Sequence, residues 1–196
     1  MLATAALAIS PGPDNIYVLM QSVAHGKKYG LATVFGLISG CIIHTTLLAF
    51  GVSAVIKNND SVFFIIKIFG ASYLLYLAFK VFRGSGDLTI SETQVPKKSL
   101  KQLYKQGFIM NVLNPKVSIF FLAFFPGFLF NENLSTVWQF YILGFVFMAV
   151  SLVIFSAIAI LAGTISVYIK SHRHIGLYLK WLQIIVFIGI AILILL

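Results

Sequence analysis

Stretches of about 20 apolar residues, the length that crosses hydrocarbon as a helix, recur along the chain. They fall at about 1–23, 31–56, 61–82, 108–130, 137–167 and 178–196. The pattern predicts an all-α polytopic membrane protein with about six transmembrane helices. The connections alternate in charge. His25-Gly-Lys-Lys-Tyr-Gly30 is short and basic, and Lys57-Asn-Asn-Asp60 is nearly neutral. In the third and longest, Lys80, Arg83, Lys97, Lys98, Lys101 and Lys105 outnumber Asp87 and Glu92. Asn131-Glu132-Asn133 is acidic, and Lys170, Arg173 and Lys180 make the last connection basic again. Basic loops stay in the cytoplasm, so loops one, three and five are expected inside and both termini outside. Trp138 and Tyr141 fit an outer interfacial belt, and Tyr178 and Trp181 an inner one.

Two of the apolar runs are interrupted. Ser10-Pro11-Gly12-Pro13-Asp14-Asn15 breaks the first. Its prolines lack amide donors and leave the carbonyls of Leu7 and Ile9 without helical partners. Lipid satisfies no backbone group, so such a break must be buried in protein or line a wet cavity. Asp14 adds a carboxylate, and an intramembrane acid marks an ion or substrate path by default. A kinked helix with Asp14 paired for structural reasons is the alternative. The fourth run carries Asn111-Val-Leu-Asn114-Pro115-Lys116. Pro115 frees the carbonyl of Asn111, although an ordinary N1 proline with a snorkelling Lys116 fits as well. Breaks at corresponding places in two halves point to a transporter site. The chain therefore reads as one transmembrane domain over 1–196. Its 3+3 inverted halves cover about 1–83 and 105–196, with broken first and fourth helices and a basic cytoplasmic linker over 84–104. No residue-level repeat accompanies this symmetry.

Composition narrows the class without changing it. The chain is 60% hydrophobic and 10% charged, with mean hydropathy +1.00, where soluble domains carry about 25% charged residues. A net charge of +9 spread over short loops needs anionic headgroups and no nucleic acid. Cys41 is the single cysteine, which excludes an internal disulfide and a thiolate metal cage. No cofactor motif is present. The opening Met1 to Ala8 looks superficially like a signal peptide but lacks a positive n-region, so it reads as half of a retained helix.

Gly36, Gly40 and His44 share one face of the second span, a spacing that admits another helix closely. Dimerisation and internal packing explain this face equally well. His44 is either a titrating intramembrane imidazole or a structural group bonded to a facing carbonyl. Lys67 reads as a snorkelling lysine, and Gly70, Ala71 and Ser72 as a patch that packs on a helix. Tyr73 and Tyr76 read as inward hydroxyls or as interface or core residues. Phe120, Phe121, Phe124 and Phe125 read as lipid-facing or packing bulk.

Taken in order, Ser10-Pro-Gly-Pro-Asp14, Gly36-x3-Gly40-x3-His44, Asn114-Pro-Lys116 and Phe125-Pro-Gly-Phe128 resemble the lysine/threonine exporter (LysE/RhtB) family. His25-Gly-Lys-Lys-Tyr-Gly30 and Gly70-Ala-Ser-Tyr-Leu74 fit its pattern too. The stretch ahead of Ser10 is shorter than is usual there. The resemblance implies a bacterial inner-membrane exporter of amino acids or related metabolites, driven by protons. It points to Ser10 through Asp14, to His44, and to Asn114 through Lys116. An embedded enzyme lacks paired acids and any hydrolase motif. A metal exporter on the same scaffold lacks clustered soft ligands, and a channel or non-transporting subunit is the remaining alternative. In the expected mechanism the substrate ammonium approaches Asp14 and the freed carbonyls. The carboxylate approaches amides near Asn114 and Lys116, and a proton from outside displaces the ammonium.

Overall fold

The computed structural model describes residues 2–53, 60–84, 95–171 and 175–196. Among the described residues every regular element is helical. The first predicted span is two helices, α1 (Leu2–Ile9) and α2 (Pro13–His25). The second is α3 (Lys27–Leu47), continued by a wide π turn at Leu48–Val52. The third is α4 (Asp60–Arg83). The fourth comprises α5 (Leu100–Val112) and α6 (Pro115–Ile119), then a π turn at Phe120–Phe124 and a tight 3-10 turn at Phe125–Phe128. The fifth is α7 (Thr136–Ile160) followed by α8 (Ala162–Ser171), and the sixth is α9 (Ile175–Leu195).

By length and composition, four helical stretches among the described residues can cross a membrane: 27–51, 61–83, 136–160 and 175–195. A fifth is the pair 100–112 and 115–128, bent by 48° at its break. α1 and α2, of 8 and 13 residues, are each shorter than a span. The expected start of the fourth span near 108 is corrected to Leu100. Lys101, Gln102, Lys105 and Gln106 make its first turns polar and hide the helix from a hydropathy scan. The overlooked sign was a capping box. Ser99 Oγ accepts from the Gln102 amide at 3.3 Å, and Gln102 Oε1 accepts from the Ser99 amide at 2.9 Å. Residues 100–104, assigned to the linker, are thus the opening of α5. Asp87 and Glu92 of that linker lie outside the described residues, as do 54–59.

Glycine brings α3 and α5 together. A Cβ on Gly36 would run into the carbonyl oxygen of Tyr104, and one on Gly107 into that of Thr33. Neither obstacle is a flexible side chain, so both positions require glycine. The Gly36 and Gly40 face is therefore taken up inside the chain. Gly70 of α4 likewise seats Ala123 and Ile119 of the second half, as the small-residue patch predicts, although Ser72 itself is exposed. The four phenylalanines at 120, 121, 124 and 125 are packing bulk rather than lipid-facing. They are buried and form an aromatic cluster with Phe147, with centroids of Phe121 and Phe147 4.9 Å apart. The outward surface is apolar. Phe64, Ile65, Phe69, Phe145, Val153 and Ile185 are each at least 60% exposed, as a lipid-facing belt requires.

The basic connections converge. The His25 ring bonds the Val95 carbonyl at 2.8 Å, and the Lys97 ammonium sits 5.9 Å from the Tyr29 ring centre. Lys180 Nζ donates to the Gly84 carbonyl at 2.7 Å. Loops one, three and five therefore meet at one end of the bundle. The side chains of Lys170 and Arg173 lie outside the described residues. At the other end Gln139 ties down the loop before α7. Its Oε1 accepts from the amides of Phe130 and Asn131, and its Nε2 donates to the carbonyls of Asn131 and Leu134.

Substituting Gly36 by Val should overpack the α3–α5 crossing and cost about 3 kcal/mol or more, because backbone cannot yield as a side chain does. Thermal unfolding in detergent should show a clear loss of Tm. Gly189→Ala, where a Cβ meets nothing within 4 Å, should leave Tm unchanged or raise it.

Candidate functional site

The first break leaves a helix end and a helix start facing one another. α1 stops because Pro11 and Pro13 donate no amide, and Gly12 runs extended (φ −158°, ψ 177°) into Pro13 at the first position of α2. Three carbonyls at the end of α1 find side-chain donors. Asn15 Nδ2 donates to the Ala8 carbonyl at 2.7 Å. Lys116 Nζ donates to those of Leu7 at 3.0 Å and Ser10 at 3.1 Å. Asp14 lies in the first turn of α2, buried, where a carboxylate complements the helix dipole.

The second break uses the same device. Asn114 is extended (φ −79°, ψ 106°), caps α6, and precedes Pro115 at its first position. Asn114 Oδ1 accepts from the Lys116 amide at 3.0 Å. The Asn111 carbonyl that Pro115 frees is taken by the Asn114 amide at 2.9 Å and by His44 Nε2 at 3.0 Å. A carbonyl only accepts, so this ring nitrogen carries its hydrogen. His44 is thus bonded to a facing carbonyl, and its ring also packs on Phe121.

The two breaks bond to each other. Asn114 Nδ2 donates to Asp14 Oδ2 at 2.7 Å, and the Lys116 ammonium reaches across to α1 as above. Between them lies a hollow of about 30 Å³, lined by Asp14, Asn111, Asn114, Lys116, Cys41 and Ser151 among others. It has room for a water or two, and none for an amino acid. Every predicted site residue lies at or beside one of the breaks. Ser10 is fully buried with its hydroxyl unpartnered. Pro11, Gly12, Pro13 and Asn15 form the first break, and a Cβ on Gly12 would lie 3.8 Å from Lys116 Nζ. Asn111 is packed against Gly40, where a Cβ would come within 2.7 Å of its Oδ1.

Two expectations change. Of the two carbonyls expected to be free, that of Leu7 is taken by Lys116, which with Asn15 also takes those of Ser10 and Ala8, so these three are not open to a substrate ammonium here. The α6 amide expected to attract an anion is capped by Asn114, which leaves the Lys116 ammonium as the group able to meet a carboxylate. One polar wall residue, Ser151, carries no mark in the sequence. Cys41 is a small buried core residue that also forms part of the wall, and Ser151 is one of several hydroxyl-bearing residues of α7, with Thr136, Tyr141 and Ser156, so nothing local singles it out. Among the described residues no three His, Cys, Asp or Glu side chains gather to hold a metal ion.

Comparison with known proteins adds a second line. A family model described as LysE type translocator matches residues 5–196. A homoserine/homoserine lactone efflux protein from Salmonella typhimurium is 30% identical over 177 residues, covering 89% of this chain and 84% of its own. Its counterpart from Salmonella typhi matches to the same extent. An uncharacterized membrane protein from Vibrio cholerae is 26% identical over 172 residues, 87% of this chain and 82% of its own. No solved structure matches the chain.

Asn114→Ala should remove the α6 cap and leave Asp14 without its amide donor, costing about 3 kcal/mol. The loss should appear as a lower Tm of the detergent-solubilised protein. Asp14→Asn keeps an oxygen where Asn114 donates and should unfold near the native temperature.

Proposed function

The chain belongs to the LysE type translocator family, and from that premise we propose that it exports amino acids or related small metabolites across the bacterial inner membrane by proton antiport. One observation carries the reading. The two breaks are tied together by the Asn114–Asp14 bond and by Lys116 on the end of α1, around a buried hollow. Irregular backbone from two parts of the chain, meeting with one carboxylate and one ammonium, is the construction expected of a transport site.

The chemistry follows from the charges. A carboxylate out of water is stable when protonated or when paired with a cation. For Asp14 the competing partners are a proton and the substrate ammonium, and only one is held at a time. That exclusion is antiport. The substrate carboxylate pairs with Lys116, which must then leave the carbonyls of Leu7 and Ser10. The hollow of about 30 Å³ is smaller than an amino acid, so on this reading loading requires the two breaks to part. The two Salmonella relatives are named for efflux of homoserine and its lactone, which share an ammonium and a carbonyl oxygen. A small ammonium-bearing substrate with a carbonyl group fits both poles of this site.

Orientation rests on the converging basic loops. With that end in the cytoplasm, both termini face outside, and a reporter fused after Leu196 should behave as extracytoplasmic.

In proteoliposomes, an imposed proton gradient should drive homoserine or threonine against its own gradient. Asp14→Asn should abolish this uphill flux with the protein still inserted and folded. Undiminished proton-driven accumulation in Asp14→Asn would remove the carboxylate from the coupling step.

A further inference from the structure

One face of α2 stays polar well beyond Asp14. Gln21 and Ser22 are 1% and 6% exposed, and Gln21 Oε1, Ser22 Oγ and the Tyr17 hydroxyl have no protein partner. Tyr17 and Gln21 are one turn apart, and His25 ends the same helix at the basic face. Buried polar atoms are almost always partnered by protein or by water, and in a membrane-embedded bundle an orphan is costly. Several together on one helix need an explanation other than packing.

An apolar cluster separates these atoms from the hollow. Val18, Val34, Leu37, Phe155 and Ala159 form a core of their own, apart from the larger one around the phenylalanines. Val18 sits on α2 between Asp14 and Gln21. Phe155 also lines the hollow. Ala159, one turn further along α7, lies beside Gly30, where a Cβ would be 3.1 Å from it and would run into Ser22 Oγ. The cluster therefore touches the hollow on one side and the orphaned hydroxyl on the other.

We infer that Gln21 and Ser22 form a second polar subsite for a small ammonium-bearing solute, on the basic side of an apolar plug that closes the mid-depth hollow. Gln21 Oε1 offers an acceptor to an ammonium, and the Ser22 hydroxyl donates or accepts as required. The plug works as hydrophobic constrictions do, by excluding water from a narrow passage. Solute waits at the subsite, and separation of Val18 from Phe155 admits it to Asp14. The inference rests on the mid-depth site proposed above, but its test measures accessibility rather than transport, so either can fail alone.

Single cysteines are placed in a Cys41→Ala background, at Ser22 below the plug and at Ser151 above it. A charged, membrane-impermeant methanethiosulfonate is applied from the basic face of oriented vesicles. Ser22→Cys should react, and Ser151→Cys should be protected. Adding Val18→Ser should raise the Ser151→Cys rate by about tenfold, and Phe155→Ala provides a second opening of the plug should Val18→Ser fail to fold. An unreactive Ser22→Cys in folded protein would overturn the inference. So would a Ser151→Cys rate that opening the plug leaves unchanged.

Discussion

Backbone that is not helical must find its hydrogen bonds within the protein once water is excluded, and the first break meets the constraint largely with Lys116 of the second. Lys116, two residues beyond the cap of α6, supplies donors to α1. Asn114 caps its own helix with one end of its amide and reaches Asp14 with the other. His44 takes the carbonyl freed by Pro115. The first break is not self-sufficient, because the carbonyls of Leu7 and Ser10 depend on Lys116, so its contact with the second is obligatory for burial. That is why a site made of interrupted helices does not drift apart, and why it can exist in only a few discrete arrangements.

The charges follow from the same arrangement. An acid in the first turn of α2 is favoured by the dipole of that helix, whereas a lysine in the first turn of α6 is not. Lys116 escapes by pointing its ammonium at the last carbonyls of α1, where the dipole has the favourable sign. A cation there is therefore stabilised by neutral dipoles and remains free to exchange them for a carboxylate. A direct ion pair with Asp14 would be harder to separate and would leave neither group able to take a substrate.

Much of this was legible in the residues. Pro11, Pro13 and Pro115 announce interruptions, and the carbonyls of Leu7 and Asn111 follow from counting back four residues from each proline. That the two sets would meet needed only the idea of two matched breaks. The identities of the donors did not follow. Nothing local distinguishes a snorkelling lysine from one that reaches 109 residues back in the chain, and a histidine on a glycine-lined face carries no label for its partner. The start of α5 was missed for a different reason. Hydropathy reports contact with lipid, and its first two turns carry lysine and glutamine at the basic end. The glycines at 36 and 40 were recognised as a close-approach face, but only packing reveals that Tyr104 and Asn111 of the same chain fill it.

On the proposed transport reading a site this tight opens to work, and the placement of rigid and yielding contacts indicates where. The α3–α5 crossing presses backbone on backbone through Gly36 and Gly107, and packed contacts of that kind do not deform by small steps. The seam between α2 and α7 is different in kind. It is held by Val18, Phe155 and Ala159, whose apolar contacts are non-directional, and it is flanked by unpartnered hydroxyls that gain from water whenever the seam parts. Opening there exposes polar atoms to solvent on the basic side and leaves α3 and α5 joined. The bonds from Lys116 to α1 run across the hollow itself and break only when another anion or dipole replaces them. In the proposed cycle motion and binding are thus coupled at one residue, because the ammonium that satisfies the α1 carbonyls is the one a substrate carboxylate must win.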